Sequence, residues 1–197
     1  METGSGMASA LHMIGNASLF DLPDKVAFLS SRRISAAAVL KCYDWAAEMR
    51  DAGRCVIGGF QSSLERDVLK LLLRGQSPIA MVLARGLWRT VPSEYREAIN
   101  AGRMLVASPF SQRVIRVSTV TAAVRNEYVL DNCKSAVFAS LDPCGSLARL
   151  VAARPALNYR VLDGRHSRHV DGGDRQSIDN QMKERQRNEA CRSTRGA

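Results

Sequence analysis

The chain has 197 residues, 46% of them hydrophobic and 24% charged, proportions typical of a globular protein with a substantial core. Its formal net charge is +9, and 23 of its 28 basic residues are arginine. No apolar run approaches the ~18–20 residues that span a bilayer, and the N-terminus lacks the apolar core of a secretory signal. The sequence therefore predicts a cytoplasmic protein without a membrane partner.

Scattered cysteines and few histidines restrict the chemistry that the chain can perform. The five cysteines form no CxxC pair, which favours neither a disulfide framework nor a zinc site. His12 falls in the N-terminal segment, and His166 and His169 fall in a polar tail, which leaves the predicted folded body without histidine. Because a Ser-His-Asp or Cys-His nucleophile needs a histidine, the sequence argues against such an enzyme. It indicates no catalytic residue, cofactor or metal.

From residue 25 onward, short runs rich in β-branched residues alternate with longer stretches of helical period, the pattern of βαβ units. The predicted strands cover 26–30, 54–58, 78–84, 103–107, 135–141 and 158–162. The predicted helices cover 35–52, 62–74, 92–101, 114–133 and 145–153. Because each strand is apolar on both faces, we expect an α/β fold: an open, doubly wound, mainly parallel sheet with helices on both faces.

Changes in composition divide the chain into three segments. We predict a flexible N-terminal leader at 1–24, one α/β domain at 25–163, and a polar basic tail at 164–197. The tail has almost no large apolar side chains, so we expect it to be mostly disordered. An arm that touches nucleic acid and a solvated tail without a role both fit its composition.

The turns that follow the predicted strands are the candidates for a binding site, because open parallel sheets bind ligands beyond the carboxyl ends of their strands. These turns are rich in arginine, glycine and hydroxyl groups. Paired glycines ahead of a helix let backbone N–H groups approach an anion, which a helix N-terminus also favours. Ordinary roles in turns and loops remain an alternative for each residue. The phosphate-binding residues predicted from these turns are Ser31, Arg32, Arg33, Gly58, Gly59, Phe60, Ser62, Arg85, Arg113, Gly145 and Ser146.

Several of these segments together resemble a known family. The order GGFQSSLERDVLKLLLRG, PIAMVLARGLW, RMLVASPF, VRNEYVLDNCKSAVFA and PCGSL is similar to the Rossmann-like domain of DprA/Smf DNA-processing proteins. It is more similar still to short, single-domain DprA-related proteins, over residues 25–153. The resemblance implies a non-catalytic module that binds single-stranded DNA through phosphates in DNA recombination. It also implies a recombinase and a second copy of the chain as further partners.

The resemblance also assigns individual residues. Arg32 matches the arginine of a Gly-Ser-Arg element whose glycine is Ser30 here. Arg125 and Asn126 match the start of an Arg-Asn-Arg element, and they join the predicted phosphate-binding residues. The third residue of that element is Glu127 here, a charge reversal that would weaken a phosphate contact.

A nucleotide-derived ligand is the alternative to DNA. Nucleotide-phosphoribohydrolases of the same superfamily carry a Pro-Gly-Gly-x-Gly-Thr-x-x-Glu loop, and the matching stretch from Pro143 to Arg149 lacks the glutamate. Glu65 and Glu127 are the remaining candidate general acids, although Ser62 and Glu65 have the spacing of a capping box. A small-ligand sensor or hydrolase and an accessory module that acts through protein partners both remain open.

Overall fold

Eight strands form one sheet in the computed structural model, which describes residues 11–31, 33–163 and 167–168. The strands are β1 (His12–Gly15), β2 (Val26–Leu29), β3 (Val56–Gly58), β4 (Ile79–Val82), β5 (Met104–Ser108), β6 (Ser135–Phe138), β7 (Asn158–Val161) and β8 (Ser167–Arg168). Their order across the sheet is β1-β5-β4-β3-β2-β6-β7-β8. β1 and β8 are antiparallel to their neighbours, and the strands between them are parallel.

Helices cover both faces of this sheet. They are α1 (Ala36–Asp51), α2 (Ser63–Leu73), α3 (Ser93–Asn100), α4 (Thr119–Asp131) and α5 (Ser146–Ala152), with a 3₁₀ helix at Ala17–Phe20. Alternation along β2 shows the two layers: Val26 and Phe28 pack with α1, α2 and α3, whereas Ala27 and Leu29 pack with α4 and α5. The expected α/β fold, with a mainly parallel sheet between two helix layers, is confirmed.

All six predicted strands and all five predicted helices are present, most of them shorter than predicted by one to three residues at an end. Their boundaries have local causes. The side chain of Ser35 accepts a hydrogen bond from the backbone N–H of Ala38 at the start of α1, and Ser62 and Glu65 form the predicted capping box on α2. Among the strands, β6 differs most at one end, because it ends at Phe138 rather than at residue 141.

The structure corrects the predicted leader over 1–24. His12–Gly15 forms β1 on the edge of the sheet, with His12 opposite Ser108 of β5, so a histidine does belong to the folded body. Asn16 extends this docking, since its backbone N–H donates to the carbonyl of Met104 (3.2 Å) and its side-chain amide donates to the carbonyl of Gly102 (2.7 Å). Backbone hydrogen bonds hold this mostly exposed strand, and they leave no apolar pattern in the sequence.

Helix α4 begins five residues later than predicted. Ser118 caps it, because the Ser118 hydroxyl accepts from the backbone N–H of Thr121 (3.1 Å) while the Thr121 hydroxyl accepts from the backbone N–H of Ser118 (2.9 Å). Val114, the predicted first residue, lies in the preceding loop instead, where its carbonyl accepts from the backbone N–H of Gly86 (2.8 Å). The helix therefore follows a long loop at the end of β5.

Three predicted segments fall wholly or partly beyond the described residues. Arg32 and residues 1–10 lie outside them, and of the predicted tail only Ser167–Arg168 is described after residue 163, as β8 paired with β7. No helix within the described ranges is long and apolar enough to cross a membrane.

Candidate functional site

The loops after β2 and β6 meet at the point where the strand order of the sheet reverses. The backbone N–H of Ser31 donates to the carbonyl of Ser140 (3.1 Å), and the Ser31 hydroxyl accepts from the backbone N–H of Asp142 (3.0 Å). The Ser140 hydroxyl donates to the carbonyl of Arg33 (2.6 Å), and the Arg33 side chain is exposed. Open α/β sheets bind ligands at such a reversal, so this crevice is the first part of the candidate site.

Glu65 connects the loop after β2 to the loop after β3. The side chain is 4% exposed, and its carboxylate accepts from three backbone N–H groups: Ser30 (3.0 Å), Gln61 (2.8 Å) and Ser62 (3.1 Å). These bonds extend the predicted capping box to a loop 35 residues away along the chain. Because the Glu65 carboxylate already accepts from the backbone N–H groups of Gln61 and Ser62, these two groups are not available to bind an anion from solution.

Arg125 lies against the glycine turn from the other side of the sheet. It is 5% exposed, its Nε donates to the amide oxygen of Asn126 (2.8 Å), and its Nη2 donates to the amide oxygen of Gln61 (3.4 Å). A Cβ atom on Gly59 would lie 1.3 Å from Arg125 Nη1, so the guanidinium packs directly on this glycine. Burial lowers the pKa of the Arg125 guanidinium from its ordinary value, and the charge of Glu65 opposes that shift.

Phe60, a predicted site residue, belongs to the core. It is 4% exposed and adopts a φ of +46°, which is rare for a residue with a side chain. Gly58 makes room for its ring, since a Cβ atom on that glycine would lie 3.2 Å from Phe60 Cζ and 2.9 Å from the carbonyl oxygen of Phe28. The Gly58-Gly59 pair therefore admits two large side chains to the turn, Phe60 and Arg125.

The loops after β4 and β5 extend the same edge. A Cβ atom on Gly86 would lie 2.5 Å from the carbonyl oxygen of Ser111, so the two loops pack backbone against backbone. Arg85 is half-buried and Arg113 is exposed. Trp88 stacks on Tyr95 of α3 with ring centroids 5.5 Å apart, the arrangement of a loop anchor.

The start of α5 completes the edge. Gly145 is its N-cap residue and receives no side-chain cap, while its backbone N–H donates to the carbonyl of Asp142 (2.9 Å). Ser146 is exposed at the first position of the helix. Gly145 and Ser146 thus lie beside the crevice at the strand reversal, whereas Arg85 and Arg113 lie two and three strands from β2, on the other side of it.

The sequence does not indicate two features of this arrangement. The capping-box spacing identifies Glu65, but nothing in the sequence marks its bond to Ser30. Arg125 carries a charge that usually indicates an exposed side chain, so its burial is unexpected. The glycine that faces it, Gly59, is the one signal of a close approach.

Comparison with known proteins bears on the fold. No protein-family model and no curated protein matches the chain. The chain is similar to the structure of DNA processing protein A from Helicobacter pylori, described for its single-stranded DNA binding mode. The TM-score is 0.62 with 19% identity, over 90% of this chain and 79% of that one.

DprA from Streptococcus pneumoniae is similar as well, with a TM-score of 0.58 and 15% identity over 76% of this chain. The match covers 53% of that protein, so the chain spans about half of its length. The chain therefore has a DprA-like fold.

Proposed function

We propose that this chain is a non-catalytic module that binds single-stranded DNA through phosphates along the carboxyl edge of its sheet. The observation that carries the proposal is the position of four arginines, Arg33, Arg85, Arg113 and Arg125, on the loops and helix at this one edge. Guanidinium groups bind phosphate oxygens in pairs and keep their charge at any working pH. A basic edge with a net chain charge of +9 favours a polyanion.

Two of these arginines have side-chain N–H groups without a hydrogen-bond partner in the protein. Within the described ranges, Arg85 Nε and Arg125 Nη1 are buried without a hydrogen-bond partner. Unpaired buried donors are costly, so a phosphate oxygen that reached Arg85 Nε would be favoured, whereas Arg125 Nη1 is packed against Gly59. Arg103 Nη1 shares this state, but Arg103 precedes β5 and so lies at the opposite edge.

The structure suggests different tasks for the exposed and the buried residues. Arg33 and Arg113 are exposed and would contact phosphates, together with hydroxyl or backbone donors of Ser31 and Ser146. Arg125 and the Gly58–Ser62 turn would instead give the edge its shape. We place no phosphate within that turn, because Glu65 already accepts the backbone N–H groups of Gln61 and Ser62.

The length of the edge favours a strand over a single nucleotide. From the loop after β6 to the loop after β5 it crosses four strand spacings, about 19 Å, which leaves room for more than one phosphate. The Helicobacter pylori protein of similar fold is described for single-stranded DNA binding, which supports the same class of partner. The recombination pathway and the recombinase partner of the proposal derive from the resemblance of the sequence, and the cytoplasmic location derives from its composition.

A titration of a fluorescently labelled oligo-dT strand, followed by anisotropy over a salt series, tests the proposal. We expect binding that weakens steeply as salt rises, because phosphate contacts release counterions. Thymidine monophosphate at equal phosphate concentration should displace the strand poorly. Efficient displacement would favour the alternative of a small-ligand sensor, and absence of binding at low salt would overturn the proposal.

A further inference from the structure

The loop after β4 holds an aromatic ring at the carboxyl edge of the sheet. Trp88 is half-buried, and it stacks on Tyr95 of α3 with an angle of 19° between the ring planes. Tyr95 is 8% exposed and belongs to the core. Because a buried ring supports the indole, its position is fixed while part of its surface stays in contact with solvent.

Charged side chains surround this pair of rings. Arg89 is exposed one residue after Trp88, and Arg66 is exposed near the start of α2. Burial and a hydrogen bond to Glu94 raise the pKa of Tyr95, and the charge of Arg66 opposes that shift, so Arg66 lies near the rings. The surface beside the indole is therefore mainly basic, with the Glu94 carboxylate engaged by the Tyr95 hydroxyl.

The loop that carries Trp88 lies between the two exposed arginines of the proposed DNA edge. In the sheet, β4 is the neighbour of β5, whose loop carries Arg113, and it is two strands from β2, whose loop carries Arg33. The Ser108 hydroxyl donates to the carbonyl of Arg85 (2.7 Å), which joins the loops after β5 and β4. A strand with phosphates at both exposed arginines therefore passes the loop of Trp88.

Contacts to phosphates alone do not distinguish a single strand from a duplex, because both carry the same backbone groups. The faces of the bases differ: they are free in a single strand and covered by their neighbours in a duplex. An aromatic side chain can stack on a free base of any sequence. Resting on the proposed function, we propose that Trp88 stacks on a base and thereby makes this edge select single-stranded over double-stranded nucleic acid.

The support from Tyr95 favours this role. A ring that is already fixed in the free protein loses little conformational freedom when a base packs on it. Two other large rings are not available for stacking. Phe60 is 4% exposed, and Trp45 is 2% exposed and stacks on Phe28 with ring centroids 4.8 Å apart.

Intrinsic fluorescence tests the contact directly, because the chain has two tryptophans and one of them, Trp45, is in the core. We expect oligo-dT to quench the tryptophan fluorescence of the wild-type chain, with the same midpoint as the anisotropy titration. The quenching should disappear in Trp88→Leu, which leaves Trp45 as the only fluorophore of this kind.

Affinities for three ligands of equal length test the selectivity: oligo-dT, an abasic strand with the same phosphates, and a duplex. We expect Trp88→Leu to weaken oligo-dT binding at least about fivefold, the lower end of the range for base–aromatic stacking. Binding of the abasic strand and of the duplex should not change, since neither offers a free base face. Tyr43→Leu, which removes a half-buried ring in the middle of α1, is the matched control and should leave all three affinities unchanged.

The outcomes separate this inference from the proposed function. Oligo-dT binding without quenching, or an equal loss for oligo-dT and the abasic strand in Trp88→Leu, would overturn the inference and leave the DNA edge standing. Absence of binding by the wild-type chain would overturn both. Trp88→Phe keeps a ring on Tyr95 and should retain most of the preference for the single strand. If Trp88→Leu did not fold, the quenching of the wild-type chain and the Trp88→Phe affinities would decide.

Discussion

Glu65 and Arg125 are charged side chains in the interior of the carboxyl edge, 4% and 5% exposed respectively. A buried charge is costly unless polar groups surround it. Glu65 is bound by three backbone N–H groups, and Arg125 is bound by the side-chain amides of Asn126 and Gln61. Both residues thereby fix the Gly58–Ser62 turn. Glu65 binds its backbone N–H groups, and Arg125 packs against Gly59.

Replacing Gly59 by alanine tests the packing of Arg125. The new Cβ atom would lie 1.3 Å from Nη1, so the guanidinium would have to leave its buried position. We expect Gly59→Ala to lower the free energy of unfolding by about 2 kcal/mol or more. In the Arg125→Ala background the same change should cost much less, and a double-mutant cycle by chemical denaturation measures the difference. Equal costs in both backgrounds would contradict the described contact.

Glu65→Gln tests the carboxylate as a connector of two loops. The amide has one acceptor oxygen where the carboxylate has two, and its NH₂ group would face a backbone N–H donor. We expect the free energy of unfolding to fall by about 2–3 kcal/mol. The control is Glu97→Gln on α3, an exposed residue whose replacement should have little effect. Equal stability of the two variants would exclude the connecting role.

The sequence predicts the capping box of α2 because it is a local pattern, with Ser62 and Glu65 three positions apart. The bond from Ser30 to Glu65 and the contact of Arg125 with Gly59 join residues that are distant in the chain. Neither composition nor periodicity carries such information. The resemblance to DprA/Smf proteins does identify Arg125, but as a phosphate ligand rather than as a buried residue.

At the scale of elements, β1 is the strand that the sequence pattern does not predict. Strands β2 to β6 are apolar on both faces, because helices cover both sides of the sheet, and this pattern is visible in the sequence. β1 is mostly exposed and pairs with β5 through its backbone, and of its four residues Ile14 packs against the core. It protects the outer edge of β5, which would otherwise present unpaired N–H and C=O groups.

Gly15→Ala tests the docking of this edge strand. Gly15 has a φ of +96°, and a Cβ atom there would lie 2.3 Å from the carbonyl oxygen of Met104. Since backbone cannot easily yield, we expect the free energy of unfolding to fall by about 2 kcal/mol or more. Gly53→Ala is the matched control: its φ is +65° but its Cβ site is open, so only the conformational cost of about 1 kcal/mol remains. Thermal or chemical denaturation that found equal losses would contradict the docking.

At the scale of the whole molecule, helix α4 contributes to the proposed DNA edge with one of its faces only. It contributes Arg125 to the edge from its inner side, and Val120 and Val124 are exposed on its outer side. The fold itself sets this arrangement, because α4 begins at the carboxyl edge, directly after the loop that carries Arg113 and Arg116.

The proposed function requires that DNA binds at the carboxyl edge of the sheet rather than to any basic surface of the protein. Two charge-matched double variants test it: Arg33→Ala with Arg113→Ala at the carboxyl edge, and Arg54→Ala with Arg74→Ala at the opposite edge. All four side chains are exposed, so the variants should fold equally well.

The measurement is the slope of log affinity against log salt for oligo-dT. Each phosphate contact on a single strand contributes about 0.7 to this slope. We predict that the Arg33/Arg113 variant binds at least about tenfold more weakly, with a slope shallower by about 1.4, and that the Arg54/Arg74 variant matches the wild type. Equal losses in the two variants would show that net charge alone attracts the strand and would contradict the proposed site.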